Sequence, residues 1–196
     1  MAEDQTVCNA EPRIAPLAEA ELSAEALPLA ARLRSLFGLE TTELPDAVAT
    51  MLRHPEIYRA QVDYITQRAK ALTLEMRDLE VVILRTGWLC RSAYTWGEHV
   101  RFGRNAGLSA QEIEWLVQGS AAPGWNERDR ALVRLAEELH ADACVSDATW
   151  AVVAENFSDK QIIELLMMVG FYHEIAFLYN SMRVRLIPGN EGLAAR

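Results

Sequence analysis

The sequence predicts an all-α protein, and three observations carry that expectation. From Pro45 onward, apolar side chains recur every three or four residues, the spacing that lines one face of a helix. Ser109 with Glu112, and Ser158 with Gln161, form two capping boxes, each directly ahead of an apolar run. Proline and glycine punctuate the intervals, at His54-Pro55, at Asn105-Ala106-Gly107 and in the Pro123-Gly124 turn. A chain of 196 residues with 51% hydrophobic and 24% charged residues can bury a core of its own, and disorder is expected only at the ends.

Residues 1–16 carry Pro12 and Pro16 and little periodicity, which predicts an irregular start and an extended arm. Leu29, Leu33, Leu36 and Phe37 then fall at helical spacing, closed by Gly38 as a C-terminal cap. Val48, Met51 and Leu52 line a short helix that stops before His54-Pro55, because the residue ahead of a proline is pushed out of the α region. Pro55 opens the next helix at its first position, with Ile57, Tyr58, Val62 and Ile65 inward.

Thr73 is the expected cap of the following helix, with Glu75 in its first turn and Met76, Leu79, Val82, Ile83 and Thr86 as its apolar stripe. Gly87 near its end allows close helix contact or a bend. Asn126 caps an amphipathic helix with Ala131, Leu132, Leu135 and Leu139 inside, and a short helix from Ser146 turns Trp150, Val153, Ala154 and Phe157 inward. The run from Ile162 to Phe177 is apolar all round and must be covered all round. That demand predicts a homo-oligomer with this helix near the interface, and the second half of the run is too polar to span a bilayer. A short echo, Leu108-Ser109 to Ile113 against Phe157-Ser158 to Ile162, agrees with helix hairpins stacked on one another.

Charge and cysteines narrow the function classes. A net charge of −9 without a Lys/Arg cluster argues against nucleic acid and against an anionic membrane surface, which leaves small molecules and other protein chains. Cys8, Cys90 and Cys144 are an odd number at wide spacings with no Cys-x-x-Cys, the pattern of reduced thiols in the cytoplasm. The start, MAEDQTVCNAEPR, is acidic and polar, unlike a signal peptide or membrane anchor. His54, His99, His140 and His173 show no His-x3-His, so spacing predicts no metal site.

The stretch from Glu80 to Gly107 concentrates the chemistry. It reads as an apolar helix, a short break near Cys90-Arg91 and a second helix opening at Ser92. On that second helix Ser92, Thr95, Trp96, His99 and Gly103 share a face, while Cys90 and Arg101 project the other way. Glu80 lies on an otherwise apolar helix and needs a partner, either His99 or, as a purely structural ion pair, Arg85 or Arg91. Ser92 and Thr95 can be helix caps, substrate hydrogen-bonders or, with His99 four residues beyond Thr95, an activated nucleophile; capping is the commonest use. Cys90 is most simply a small buried apolar residue. Trp88, Tyr94, Trp96, Tyr172 and His173 are candidate pocket walls, although aromatic residues at helical spacing usually form core.

This stretch resembles the carboxymuconolactone decarboxylase superfamily, which includes the alkylhydroperoxidase D-like proteins. The redox branch uses Glu-x11-Cys-x2-Cys-x3-His, and this chain has Glu80-x11-Ser92-x2-Thr95-x3-His99, with hydroxyls in place of both sulfurs. The resemblance extends over LRHPEIYRA (52–60), AGLSAQEIEWL (106–116) and VSDATWAVVAENFSDKQIIELL (145–166). It implies an alkylhydroperoxidase D-like bundle of stacked hairpins over residues 45–190, with residues 1–44 as an N-terminal arm and 191–196 as a tail. Assembly as a trimer or hexamer is common in the family.

The resemblance to the decarboxylase branch implies an acid/base lyase that needs no cofactor. Glu80 and His99 would be its catalytic pair, Ser92, Thr95, Trp96, Tyr94 and Trp88 its substrate contacts, and a small carboxylated or lactone-like molecule its substrate. Two other readings stay open. One is an alkylhydroperoxidase D-like antioxidant protein working through Cys90 as a redox thiol. The other is a non-catalytic binding or assembly protein that kept the fold without the thiols.

Overall fold

The structure, a computed structural model, describes residues 11–38 and 43–196. The expected all-α class holds: the described residues form nine α-helices and two short 3-10 turns. They group into two compact units, the first running to Ala71. The first takes the described residues up to Ala71 with Tyr179–Pro188, the second Leu72–Leu178 with Gly189–Arg196.

In the first unit lie α1 (Ala26–Phe37), α2 (Asp46–Met51) and α3 (Pro55–Ala71). Gly38 closes α1 in the left-handed conformation, at φ 60°. Ala26, Leu29, Ala30, Leu33, Val48, Leu52, Tyr58 and Val62 form the core of this unit. Ile57 and Leu36 are exposed, against expectation. The buried face of α3 runs through Tyr58 and Val62, and Ile57 sits one residue, about 100°, off that line. Cys8 and the side chain of Phe37 lie outside the described residues.

The second unit is built on α4 (Met76–Leu89), followed by α5 (Ala93–Asn105), α6 (Ala110–Gln118), α7 (Glu127–Asp142), α8 (Asp147–Asn156) and α9 (Asp159–Met182) as far as Leu178. Every residue of α4 from Asp78 to Gly87 is buried, because α5, α6 and α7 all pack on it. Leu79, Val82, Leu84, Trp96, Ile113, Leu132, Leu135 and Leu165 belong to one continuous core. Met76, expected inward, is exposed in the turn ahead of the buried stretch. Trp150 and Ala154 of α8 are also exposed, because the buried line there runs through Thr149 and Val153.

Most of the expected caps form. Ser109 and Glu112 close a capping box, the Asn126 side chain accepts from the Asp129 N–H, Ser146 accepts from Thr149, and Ser158 pairs with Gln161. Thr73 does something else. Its N–H and hydroxyl, with the Leu74 N–H, donate to the Glu164 carboxylate at 2.9–3.0 Å, tying the start of α4 to α9. By length and apolar composition alone, α9 is sufficient to cross a membrane. Its residues Ile162, Leu165, Met168 and Val169 are instead part of the protein core.

The joint between α4 and α5 is tight. Arg91 takes the left-handed conformation (φ 52°), with the Arg91 N–H bonded to Trp88 O and the Ser92 N–H to Gly87 O. This is the Schellman ending that usually carries glycine. At Gly87 the helices approach closely, and a Cβ there would lie 3.3 Å from Thr95 Cγ2.

Candidate functional site

Glu80 and His99 meet, as their positions on consecutive helices predict. His99 Nδ1 stands 2.8 Å from Glu80 Oε2, with side-chain exposures of 15% and 4%. With Glu80 ionised, the ring proton sits on Nδ1 and donates to the carboxylate, so Nε2 faces onward. There it meets the Tyr172 hydroxyl at 3.0 Å. A carboxylate, an imidazole and a phenol thus form one hydrogen-bonded chain across α4, α5 and α9. The His99 ring also packs edge-on against Tyr172 and Phe102, which fixes its plane.

Tyr172 is the partner that spacing alone did not reveal, since 73 residues separate it from His99. The sequence offers it only as a candidate pocket wall, within the polar interruption Tyr172-His173-Glu174 of an otherwise apolar run. The alternative partners for Glu80 are engaged or turned elsewhere. Arg85 pairs with Glu137 at 2.8 Å and donates to Leu116 O and Val117 O. Arg91 is exposed at the joint.

The expected substrate contacts divide. Ser92 occupies the cap position of α5, but its hydroxyl makes no cap bond and donates to Thr95 Oγ1 at 2.8 Å. Both hydroxyls are buried, and both His99 ring nitrogens are engaged by Glu80 and Tyr172, so this arrangement offers neither hydroxyl an imidazole base. Trp96 is core: it is fully buried, its ring lies tilted against Trp88 with centroids 4.9 Å apart, and its indole N–H donates to Ala195 O. The C-terminal residues therefore pack over α5. Trp88 and Tyr94 are half-buried, and the Tyr94 carbonyl accepts from Asn190.

Cys90 contacts His140. Burial pushes its thiol up to about 11, which disfavours a thiolate nucleophile at neutral pH. Its Sγ lies 3.8 Å from His140 Nδ1, and that nitrogen lies 2.9 Å from His173 Nε2. Burial, then His173 and Arg85, hold His140 below the ordinary imidazole range. The expectation of no metal site rested on spacing within single helices. The structure brings these three ligand-type side chains together from the end of α4, from α7 and from α9, a proximity that such spacing does not reveal.

Comparison with known proteins agrees with this geometry. Residues 55–138, which span α3 to most of α7 and include both Glu80 and His99, match the sequence model of the Carboxymuconolactone decarboxylase family. Over these residues, which make up less than half of the chain, the protein is similar to that family. No curated protein matches it by sequence.

Several solved structures share the fold. The alkylhydroperoxidase AhpD core of an uncharacterized peroxidase-related protein from Ralstonia eutropha JMP134 superposes with a TM-score of 0.72 at 16% identity, covering 93% of this chain and 100% of that one. A protein of unknown function from Agrobacterium tumefaciens is 22% identical with a TM-score of 0.63, over 70% of this chain and 94% of its own. The debrominase Bmp8, in complex with 2,3,4-tribromopyrrole, gives a TM-score of 0.69 at 12% identity, over 92% and 94%. At these identities the likeness shows the AhpD-core fold.

Proposed function

We propose that this protein is a cofactor-free acid/base lyase that decarboxylates a small carboxylated or lactone-like molecule, with Glu80, His99 and Tyr172 as its proton-handling groups. The observation that carries this reading is the continuous chain Glu80–His99–Tyr172, at 2.8 and 3.0 Å. In the reaction the C–CO2− bond breaks and its electron pair moves into the unsaturated lactone system. The carbon at the far end of that system then takes up a proton. The Tyr172 hydroxyl supplies it while the His99 imidazolium returns one to the phenol oxygen through Nε2. Glu80 stays ionised and holds the positive ring through Nδ1. Solvent restores the proton to His99, so no redox partner is consumed.

Thiol peroxidase chemistry of the kind suggested by the neighbours' names has less support in this chain. The positions matching the redox pair are Ser92 and Thr95, and the thiol of Cys90 is pushed up by burial. The reading includes a cytoplasmic, self-associating protein. Supporting association, Ile163, Met167 and Phe177 form an exposed apolar line along α9, with Phe177 66% exposed. Those three positions are spaced as i, i+4 and i+14, close to one helical face.

The test is carbon dioxide release from a panel of unsaturated lactone acids, measured for the wild-type chain and for His99→Ala and Glu80→Gln. Turnover that falls at least ~100-fold in His99→Ala is expected for a general acid/base group. Turnover retained in that variant, or absent from the wild type across the panel, overturns the proposal.

A further inference from the structure

We propose that Cys90 Sγ, His140 Nδ1 and His173 Nε2 form a zinc(II) site with a fourth position open to solvent, distinct from the Glu80–His99–Tyr172 chain. The three ligand atoms all lie within 4.8 Å of one another, with 3.8 Å between Cys90 Sγ and His140 Nδ1 and 2.9 Å between the two imidazole nitrogens. Zinc–sulfur bonds of about 2.3 Å and zinc–nitrogen bonds of about 2.0–2.1 Å in a tetrahedron put neighbouring ligand atoms roughly 3.3–3.6 Å apart. The observed spacings bracket that range, so side-chain adjustments of an ångström or less convert the cluster into three corners of such a site.

A second observation concerns the tautomer. His173 Nδ1 donates to the Val169 carbonyl at 2.8 Å, one turn back on its own helix. That bond keeps the proton on Nδ1 and leaves the Nε2 lone pair aimed into the cluster, the outer-shell arrangement characteristic of metal-ligating histidines. The donor set also selects the ion. One thiolate and two imidazoles suit a borderline divalent transition metal and not magnesium or calcium, which take oxygen ligands.

Charge and access are compatible with this. The nearby Arg85 guanidinium is paired with Glu137, and a thiolate at Cys90 offsets half of the ion's charge. His140 is exposed, which provides an entry path, while Cys90 and His173 are half-buried. Because the ligands come from the end of α4, from α7 and from α9, a bound ion would clip these three helices together. It would do so one residue along α9 from Tyr172.

The experiment uses the full chain without a histidine tag, stripped with a chelator and titrated with zinc(II) by calorimetry, with cobalt(II) as the optical probe. The expected result is one equivalent of zinc per chain and a thiolate-to-cobalt charge-transfer band in the near ultraviolet. Cys90→Ser should abolish that band. His140→Ala, at an exposed position that leaves the circular dichroism melt unchanged, should weaken zinc binding at least tenfold. Absence of stoichiometric binding by the wild type overturns the site. So does zinc affinity unchanged in either variant, or a cobalt complex whose thiolate band survives Cys90→Ser.

Discussion

Tyr172 and His173 are consecutive residues of α9 whose side chains serve two separate clusters: the Tyr172 hydroxyl meets His99 Nε2 at 3.0 Å, and His173 Nε2 meets His140 Nδ1 at 2.9 Å. Successive side chains on a helix diverge by about 100°, so one turn of α9 addresses both neighbours at once. Replacing Tyr172 with Phe keeps the ring edge-on against His99 and removes only the hydroxyl. In the carbon dioxide assay, Tyr172→Phe should lower kcat about 10- to 100-fold, with Tm little changed. An unchanged kcat would remove Tyr172 from the proton path.

Glu80 is a buried carboxylate whose neighbour is an imidazole. His99→Ala should therefore cost about 3 kcal/mol in urea unfolding at neutral pH, because the carboxylate is left buried without its partner. Adding Glu80→Gln to that variant should restore a large part of the loss. A double-mutant cycle measures the coupling directly, and additive effects would show that the two groups stand apart in solution.

Glu112 links the capping box of α6 to Arg77, which also binds Asp129. Burial works to raise its carboxyl, but the Ser109 N–H and hydroxyl and the Arg77 guanidinium outweigh it and hold the group below its ordinary range. A carboxyl depressed in the folded state adds stability above its unfolded value, near pH 4.3, and loses that contribution as pH falls through the folded value. Glu112→Gln should accordingly cost about 1 kcal/mol at pH 7 and progressively less in acid. Denaturant melts at neutral and strongly acid pH test this, and a cost that does not shrink in acid contradicts it.

Gly97 faces the returning C-terminal segment. A Cβ there would lie 1.8 Å from Asn190 Oδ1 and 2.9 Å from Gly192 N. Gly97→Ala should displace residues 190–196, break the Trp96 bond to Ala195 O and destabilise the protein by roughly 1–3 kcal/mol. Faster hydrogen exchange at the Trp96 indole N–H is the matching local signal.

The apolar line on α9 predicts self-association. Ile163→Glu combined with Met167→Glu should reduce the mass measured by light scattering to that of a single chain, with helicity retained. A wild-type chain that is itself monomeric would count against assembly through α9.

What the sequence shows depends on the range of each interaction. Helices and caps such as Ser109, Asn126 and Ser158 are legible because three- and four-residue rules govern them. Glu80 and His99 are legible because they are only 19 positions apart, on helices joined by one turn. Tyr172 is 73 residues from His99, and Cys90, His140 and His173 are 50 and 33 residues apart, so only the packing of α4, α7 and α9 unites them. The misplaced apolar residues Ile57, Met76 and Trp150 share another cause. Periodicity identifies a buried stripe but does not fix its rotation or its end, and each lies one position off or just beyond it.

Arg91 turns α4 into α5 with a single residue in an unusual backbone conformation. That elbow acts as a spacer of set length: inserting or deleting one residue there would swing the imidazole about 100° around its helix and out of the carboxylate's reach. Length changes in the connections after Asn105 and Gln118 leave the spacer untouched. Tolerance to insertion should therefore rise sharply once the chain has passed the end of α5.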